Sequence, residues 1–439
     1  MLDFTHDPQA TSWVASAQAA GGDFPIQNLP FGIFALAGSA ERPRGGVAIG
    51  DQVLDLAHLA AARVLEGPAQ AACEVAAGPT LNAFMALGQP AWRALRHGLF
   101  RLLQADAPAA LRDAVAACLV PQAGVAMKLP VEVRNYTDFY TSVHHAMNMG
   151  NLVRPDDPLT ANFKWLPIAY HGRASSVVVS GTDFHRPMGQ ARPPGAAAPV
   201  YGPCARLDFE LELGFFVGRG TRLGQPLKLS EARERLFGLC LLNDWSARDH
   251  QFWEMDPLGP FLGKNFCTSI SPWVVTMEAL APYRLPFERP ATDPAPLPYL
   301  DDPQERADGR LDIQLEVRLQ SATARERGLP GDRITATSFR HQYWTVAQML
   351  AQHTVNGCNL TPGDLMGTGT ISGPTAGEAG AIVELSRGGA LPVPLPATGE
   401  ERRFLQDGDA VILRGWCERP GAARIGFGSC QGTVLPALG

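Results

Sequence analysis

The stretch "DFELELGFFVG", Asp208 to Gly218, places carboxylates and large apolar side chains at alternate positions. This period of two predicts a β-strand, in which successive side chains point to opposite faces. Glu210 and Glu212 then share one face and lie about 6–7 Å apart, given a rise of ~3.3 Å per residue. Two explanations are open for a strand of this kind. The acids either face solvent, as most carboxylates do, or surround a cation that offsets their repulsion.

Composition narrows the class of protein. The chain has 439 residues, which predicts two or three domains of roughly 150 residues each. Hydrophobic residues make up 46 % and charged residues 18 %, as in ordinary globular proteins. The net charge of −6 argues against a nucleic-acid-binding protein, which needs a basic face. No stretch approaches the ~20 apolar residues that span a bilayer, so we expect no membrane association.

The cysteines and the N-terminal segment bear on location. None of the eight cysteines forms a C-x-x-C pair, and we expect reduced thiols in a cytoplasmic protein. The first residues lack the basic and continuous apolar regions of a signal peptide. We interpret residues 1–22 as a flexible extension.

Turn signals and periodicity divide the chain. "GGVAIGDQVLDL" (45–56) predicts a hairpin with Gly50 and Asp51 at its turn, and residues 80–104 have helical spacing interrupted at Pro90. Residues 121–133 are interpreted as a linker. The second part predicts helices near 230–237 and 340–353, and strands at 176–181, 206–217, 271–276, 311–320, 381–386 and 410–416. Pro-rich stretches at 186–203 and 281–300 are expected to be loops or arms over a partner. The fold class is α+β, mainly β.

Two further acids accompany the glutamates. Asp138 lies among aromatic residues in "NYTDFYTSVHHAMNMG", and Asp244 ends the apolar run of "GLCLLNDWSARDHQFWE". Four carboxylates suit a hard divalent cation such as Mg²⁺ or Ca²⁺, whereas zinc favours His and Cys. Because the four acids are spread over about a hundred residues, spacing alone leaves both explanations open.

Other polar residues have equally open roles. His144 and His145 are either one surface and one core histidine or include one catalytic base. Arg248 and Lys264 are either surface charges or site residues, and both lie in Gly- or Trp-flanked sequence. We find no nucleophile elbow, Walker A loop or zinc-protease motif.

Long phrases of the sequence, in order from residue 23 to the C-terminus, resemble the fumarylacetoacetase family. They are "DFPIQNLPFGIF" (23–34), "YTDFYTS" (136–142), "YHGRASSVVVSGT" (170–182), "RPMGQ" (186–190), "LDFELELGFFVG" (207–218), "NDWSARD" (243–249), "PLGPFLGKNF" (257–266), "SPWVV" (271–275), "VNGCNLTPGDLMGTGTISG" (355–373) and "GFGSCQGTVLPAL" (426–438).

The resemblance implies a fold and an activity. It implies a small SH3-like barrel domain over 23–130 and a catalytic domain with a mixed β-sandwich roll over 131–439. It implies a homodimer that uses Mg²⁺ or Ca²⁺ to hydrolyse 4-fumarylacetoacetate to fumarate and acetoacetate, at the end of tyrosine and homogentisate breakdown.

The resemblance also assigns residues by motif. The metal ligands implied are Asp138, Glu210, Glu212 and Asp244, with Lys264 and Thr268 beside the metal. The catalytic residues implied are His145 as general base, Glu384, Arg248 and Lys264. The substrate-binding residues implied are Tyr140, Arg154, Gln251, Thr370 and the position of Met255. Met255 departs from the family, which has a tyrosine there, and His144 falls where the family needs no histidine.

Two rival functions are kept beside this one. Relatives of this fold act on other diketo acids as hydrolases, decarboxylases or isomerases, and Met255 keeps such a substrate in view. A metal-stabilised scaffold without catalysis would need only the four acids. His145, Glu384 and Lys264 argue against the scaffold, because a structural cage does not require them.

Overall fold

The computed structural model describes residues 2–438 and begins with a small α+β unit. Five strands form an antiparallel sheet in the order β4-β3-β2-β1-β5, with helices packed against it. In chain order its elements are β1 (Phe31–Leu36), β2 (Arg44–Ile49), β3 (Gln52–Asp55), α1 (Leu56–Ala62), α2 (Gly67–Ala76), α3 (Asn82–Leu87), α4 (Gln89–Leu103), α5 (Ala109–Ala116), β4 (Leu119–Pro121) and β5 (Val125–Lys128).

Local sequence signals in this unit act as predicted, with one exception. The β2–β3 hairpin turns at Gly50, whose φ of +57° favours glycine. The helical stretch 80–104 is divided at Gly88, and Pro90 occupies the first turn of α4, where its missing N–H costs nothing. The predicted linker at 121–133 is wrong in its first half, because β5 pairs with β1 and completes the sheet.

Residues 2–22, predicted as a flexible extension, contact distant parts of the chain in the structure; Met1 lies outside the described residues. Asp3 caps a short helical turn over Phe4–His6. Arg96, only 2 % exposed, donates hydrogen bonds to the Thr5 hydroxyl and to backbone carbonyls of residues 27 and 28. His6 Nε2 donates to the Glu278 carbonyl at 2.8 Å, across to the larger domain. The segment is ordered by these distant partners, which no local pattern reveals.

The larger domain contains twenty-one strands and seven helices in the described residues. In chain order they are β6 (Tyr136–Tyr140), α6 (Val143–Val153), β7 (Ile168–His171), β8 (Val177–Val179), β9 (Phe184–His185), β10 (Met188–Ala191), β11 (Val200–Pro203), β12 (Leu207–Asp208), β13 (Leu211–Val217), α7 (Leu229–Arg235), β14 (Leu236–Asp244), β15 (Ser246–Ala247), α8 (Arg248–Glu254), β16 (Thr268–Ile270), β17 (Val275–Thr276), β18 (Arg284–Leu285), α9 (Pro303–Asp308), β19 (Arg310–Leu311), β20 (Gln314–Gln320), α10 (Ala322–Glu326), β21 (Asp332–Ser338), α11 (Val346–Thr354), β22 (Leu365–Gly367), α12 (Ile382–Leu385), β23 (Val393–Leu395), β24 (Glu400–Arg402), β25 (Ala410–Cys417) and β26 (Ile425–Leu435).

Two sheets organise this domain. The larger sheet has the order β7-β6-β22-β13-β14-β16-β8, with β17 also paired to β14. It is mixed, because β22 runs parallel to β6 and β16 parallel to β8 while the other pairs are antiparallel. The second sheet has the order β21-β20-β25-β26-β9. The prediction of an α+β fold dominated by strands is confirmed.

The larger sheet is covered on both faces. On one face, Leu239 and Leu241 of β14 belong to the same core as Leu315 and Leu413 of the second sheet. On the other, the Phe237 ring lies 5.0 Å from the Trp92 ring and 5.7 Å from the Phe84 ring of the N-terminal unit. Every residue of β13 and β14 is therefore buried, and so is Glu210 just before β13, which excludes a solvent-facing position for Glu210 and Glu212.

Most remaining element predictions hold, and one is wrong. Strands occur within 176–181, 271–276, 311–320 and 410–416, and helices within 230–237 and 340–353. Residues 381–386, predicted as a strand from apolar residues, instead contain the short helix α12. The buried Asp208 carboxylate accepts hydrogen bonds from the N–H groups of Ile382 and Val383, and so caps the start of that helix.

Candidate active site and metal centre

Four acidic side chains converge where strands of the larger sheet end. Asp138 lies on β6, Glu212 on β13 and Asp244 at the end of β14, while Glu210 occupies the break before β13. One carboxylate oxygen from each lies within 4.8 Å of the others, and all four residues are buried. Gly367 makes this approach possible, since a Cβ there would lie 2.4 Å from Asp138 Oδ1 and 3.0 Å from Glu212 Oε2.

Cationic and hydroxyl donors occupy one side of this acidic cluster. Lys264 Nζ donates to Asp244 Oδ2 at 2.7 Å and also to Glu210. Thr268 Oγ1 donates to Asp244 Oδ1 at 3.1 Å. Burial by itself would raise the pKa of Glu210, but Lys264 and Arg248 outweigh it and hold that pKa below its ordinary value. Glu210 is therefore ionised.

On the other side of the cluster, one oxygen of Asp138 and one of Glu212 have no donor. Asp138 Oδ1 and Glu212 Oε1 are buried and accept no hydrogen bond from the described residues. Burial, the larger cause, and repulsion from neighbouring carboxylates, the second, raise the pKa of both groups well above the usual range. Buried acceptors are normally satisfied, so these two oxygens indicate a missing positive partner. Oxygen-only donors of this kind fit a divalent metal ion.

Tyr170 is a contact that the sequence interpretation missed. Its hydroxyl lies 2.9 Å from Asp244 Oδ2 and 3.1 Å from Asp138 Oδ2, so it spans two of the acids. The reason is the register of β7 on β6, which places Tyr170 directly opposite Asp138. Its only sequence signal is its position at the start of the phrase "YHGRASSVVVSGT".

His145 forms a buried pair with Glu384. The Nδ1 atom of His145, on α6, lies 2.7 Å from Glu384 Oε1 on α12. Glu384 also accepts hydrogen bonds from Asn148 at 2.7 Å and from the Ser372 hydroxyl at 2.9 Å. Burial opposes ionisation of Glu384, but His145 and these donors outweigh it and lower its pKa. An ionised carboxylate only accepts hydrogen bonds, so Nδ1 carries a proton, and in the neutral imidazole Nε2 is the atom that can accept one.

Arg248 stands between the acidic cluster and the start of α8. Its Nε donates to Asp208 Oδ2 at 2.9 Å and its Nη1 lies 2.8 Å from Glu210 Oε1. Nη1 also lies 3.2 Å from the side-chain oxygen of Gln251. Nη2 is buried and has no hydrogen-bond partner among the described residues, which leaves a cationic donor for a ligand.

The residues predicted to bind substrate fall into two groups. Tyr140 packs edge-on against His145 at 5.4 Å between ring centroids, and Thr370 is buried on the segment that runs beside β13. Arg154, at the end of α6, and Met255, at the end of α8, are both exposed, Met255 by 43 %. In the structure, therefore, the first group lies at the buried site and the second at the surface.

Metal binding is expected to become more stabilising as the pH rises. The raised pKa values of Asp138 and Glu212 mean that the metal-free folded state binds more protons than the unfolded state above the ordinary carboxyl pKa of about 4. The contribution of these two acids to the free energy of unfolding of the metal-free protein is therefore highest at low pH, where both acids are protonated. It falls as the pH rises toward the pKa values that the two acids have in the folded state. A bound cation keeps both groups ionised and removes the loss.

Thermal unfolding of chelator-stripped and metal-loaded protein checks this prediction. We expect the difference in Tm between the two forms to widen as the pH is raised from about 5 to about 8. The Glu212→Gln variant, which cannot ionise at this position, should show a weaker trend. A difference that stays constant or narrows with pH would contradict the assignment of these acids as ligands.

Comparison with known proteins identifies the family of the chain and agrees with its fold. Residues 27–130 match the family described as "Fumarylacetoacetase N-terminal", and residues 134–435 match "Fumarylacetoacetate (FAA) hydrolase C-terminal". The chain therefore belongs to the fumarylacetoacetate hydrolase family of metal-dependent hydrolases.

Curated relatives that match the chain over nearly its full length include fumarylacetoacetases. The Bos taurus protein is 50 % identical over 427 residues, covering 96 % of this chain and 98 % of the relative. The Homo sapiens protein is 49 % identical over 429 residues with the same coverage, and the Oryza sativa protein is 48 % identical over 426 residues, 96 % of each chain.

A solved structure shares the fold. The fumarylacetoacetate hydrolase from Exiguobacterium antarcticum aligns with a TM-score of 0.51 at 17 % identity, covering 93 % of this chain and 99 % of that one.

Within residues 2–438, no helix combines the length and apolar character needed to cross a membrane.

Proposed function

We propose that the protein hydrolyses 4-fumarylacetoacetate to fumarate and acetoacetate, the last step of tyrosine and homogentisate catabolism. The observation that carries this proposal is the buried His145–Glu384 pair beside an acidic cluster with unsatisfied oxygens. The full-length similarity to fumarylacetoacetases supports the same activity.

His145 acts as the general base. Glu384 accepts the hydrogen bond of the Nδ1–H group, which leaves Nε2 to take a proton from water. The resulting hydroxide attacks the carbonyl next to the fumaryl group. The bond from that carbon to the central methylene then breaks. Its electron pair becomes an enolate, which is protonated on carbon to give acetoacetate, while the attacked carbon becomes the new carboxylate of fumarate.

Charge stabilisation comes from donors that lie around Glu210. Arg248 offers its unpartnered Nη2 to the alkoxide formed by attack, and Gln251 and Lys264 lie close enough to assist. Removing one such donor typically costs ~10²–10³ in turnover. Asp138, Glu210, Glu212 and Asp244 would hold Mg²⁺ or Ca²⁺, with Lys264 and Thr268 alongside. When bound, the cation would supply Lewis-acid stabilisation of the negative charge on the diketone oxygens.

Tyr140 and Arg154 are assigned to binding one of the two carboxylates of the substrate. Arginine suits a bidentate hold on a carboxylate, and the exposed Arg154 can swing onto a ligand from the end of α6. Thr370 borders the buried part of the site. Met255 replaces a phenol with a weak acceptor, so we expect this position to contribute contact area rather than a hydrogen bond.

Product analysis in ¹⁸O-labelled water tests the proposed function. Attack at the carbonyl beside the fumaryl group gives acetoacetate, and fumarate with one ¹⁸O in its new carboxylate. Attack at the other carbonyl would give malonate and 4-oxopent-2-enoate. Mass spectra showing the second pair, or intact substrate with metal-loaded protein, would overturn the proposal.

We also propose a cytoplasmic homodimer. Leu258 and Phe261, in the loop after α8, are 96 % and 65 % exposed, and Tyr201 on the Pro-rich hairpin β10–β11 is 74 % exposed. The hairpin contacts α8 through Gln190 and Trp253, so these exposed apolar side chains lie on neighbouring elements and offer a surface for a second copy.

All eight cysteines are free, in keeping with a reducing compartment. Sedimentation at micromolar concentration tests the dimer, and a monomer mass would refute it.

A further inference from the structure

Asp208 connects two parts of the site that are far apart in sequence. It is fully buried and is not one of the four acids of the cluster. Its Oδ2 accepts the hydrogen bond of Arg248 Nε at 2.9 Å. Its Oδ1 accepts from the N–H of Ile382 at 2.7 Å, and Oδ2 also lies 3.1 Å from the N–H of Val383. A third N–H, that of Phe209, donates to Oδ1 at 2.8 Å.

These backbone donors fix the orientation of the Asp208 carboxylate. The N–H groups of Ile382 and Val383 belong to the first turn of α12, whose position is set by the bridge between Glu210 and Ala381. The carboxylate therefore cannot turn away from Arg248 without losing its backbone donors. Glu384 lies on the same short helix, so Arg248 and the His145–Glu384 pair share one anchor.

The orientation of Arg248 depends on that anchor. A guanidinium is planar, and its donors form a rigid fork. With Nε held by Asp208 and Nη1 by Glu210 and Gln251, the direction of the unpartnered Nη2 is determined. Without Asp208, the guanidinium would be held at Nη1 only, by Glu210 and Gln251.

We propose that Asp208 is a positioning residue, which aims the Nη2 donor of Arg248 at the reacting carbonyl and keeps it in register with the His145–Glu384 pair. The inference rests on the proposed hydrolysis. Asp208 itself needs no contact with substrate. Its effect on turnover passes through Arg248.

A double-mutant cycle tests this inference. Asp208→Asn retains an oxygen that can accept backbone hydrogen bonds but removes the charge that pairs with Arg248. We expect kcat to fall ~10–100-fold, the range seen when a partner behind a functional group is lost, with a smaller change in metal affinity. In an Arg248→Met background, Asp208→Asn should have almost no further effect on kcat. Additive effects, or an unchanged kcat in the single variant, would overturn the inference.

Asp249→Asn is the matched control. Asp249 is the next residue after Arg248 and accepts hydrogen bonds from the Ala205 N–H at 2.8 Å and from Cys204, but it makes no hydrogen bond or ion pair with Arg248. We expect it to alter Tm without coupling to Arg248→Met in kcat. Equal coupling by Asp249→Asn would show that any damage near α8 produces the effect, and would refute the specific role of Asp208.

Crystal structures separate this inference from the proposed function. If unaltered protein does not cleave the substrate, the proposed function fails, and the Asp208→Asn structure still decides the positioning role. We expect the Arg248 guanidinium to rotate away from its position while the His145–Glu384 pair stays in place. A guanidinium that does not move would refute the inference.

Discussion

His145→Gln is expected to lower kcat by ~10²–10⁴, the range typical of losing a general base. The glutamine amide can still donate to Glu384, so the buried carboxylate keeps a partner in place of the imidazole. It cannot accept a proton from water at neutral pH. Because His145 is not one of the four acids that would bind the metal, the affinity for Mg²⁺ or Ca²⁺ should change little. Steady-state kinetics and isothermal titration calorimetry on the same preparation measure the two quantities.

His144→Gln provides a matched control one residue away. His144 is half-buried, and its ring lies 6.0 Å from that of His341 rather than against Glu384. We expect nearly unchanged turnover from this variant. If His145→Gln kept most of the activity, or if both variants lost it equally, the assignment of His145 as the base would be wrong.

Glu212→Gln is expected to remove metal binding and turnover together. Loss of an outer partner of a metal typically costs ~10–100-fold in affinity, and loss of a direct ligand should cost more. The metal-free folded state should tolerate the change well, since burial and neighbouring acids already raise the pKa of Glu212. The amide keeps an oxygen for the N–H of Gly369, which lies 3.0 Å from Glu212 Oε2.

Asp244→Ala should also abolish metal binding and turnover. It should destabilise the fold as well, because Lys264 loses a buried partner.

Asp409→Asn controls for removing a buried negative charge elsewhere. Asp409, just before β25, is fully buried and pairs with Arg402 of β24 at 2.8 Å. Its loss should lower Tm but leave metal stoichiometry, measured by atomic emission after dialysis, at the unaltered value. A Glu212→Gln protein with full activity and no bound metal would contradict the four-carboxylate site.

Local patterns account for much of the fold. The period of two in 206–217, the glycine turn at 50–51 and the helix break near Pro90 each act through neighbours in sequence, and each appears in the structure. Residues 2–22 and 381–386 are different. Their conformations depend on Arg96 and Asp208, which are distant in sequence, so propensity alone misassigns both.

The site shows the same division. The four acids and His145 were identified from their phrases, although spacing alone did not decide whether the acids were buried. What decides it is the sandwiching of β13 and β14 between the N-terminal unit and the second sheet. Tyr170 and Asp208 lie in quoted phrases but were not predicted as site residues, because strand register places one and a helix cap holds the other.

The most direct test of the account is the rate of 4-fumarylacetoacetate loss, followed by absorbance, with protein that has been stripped by chelator and then resupplied with Mg²⁺ or Ca²⁺. We expect negligible turnover in the stripped protein and conversion to fumarate and acetoacetate on adding either or both cations, with one ion bound per chain. Full turnover in stripped protein, or a tightly bound cation with no turnover, would contradict it.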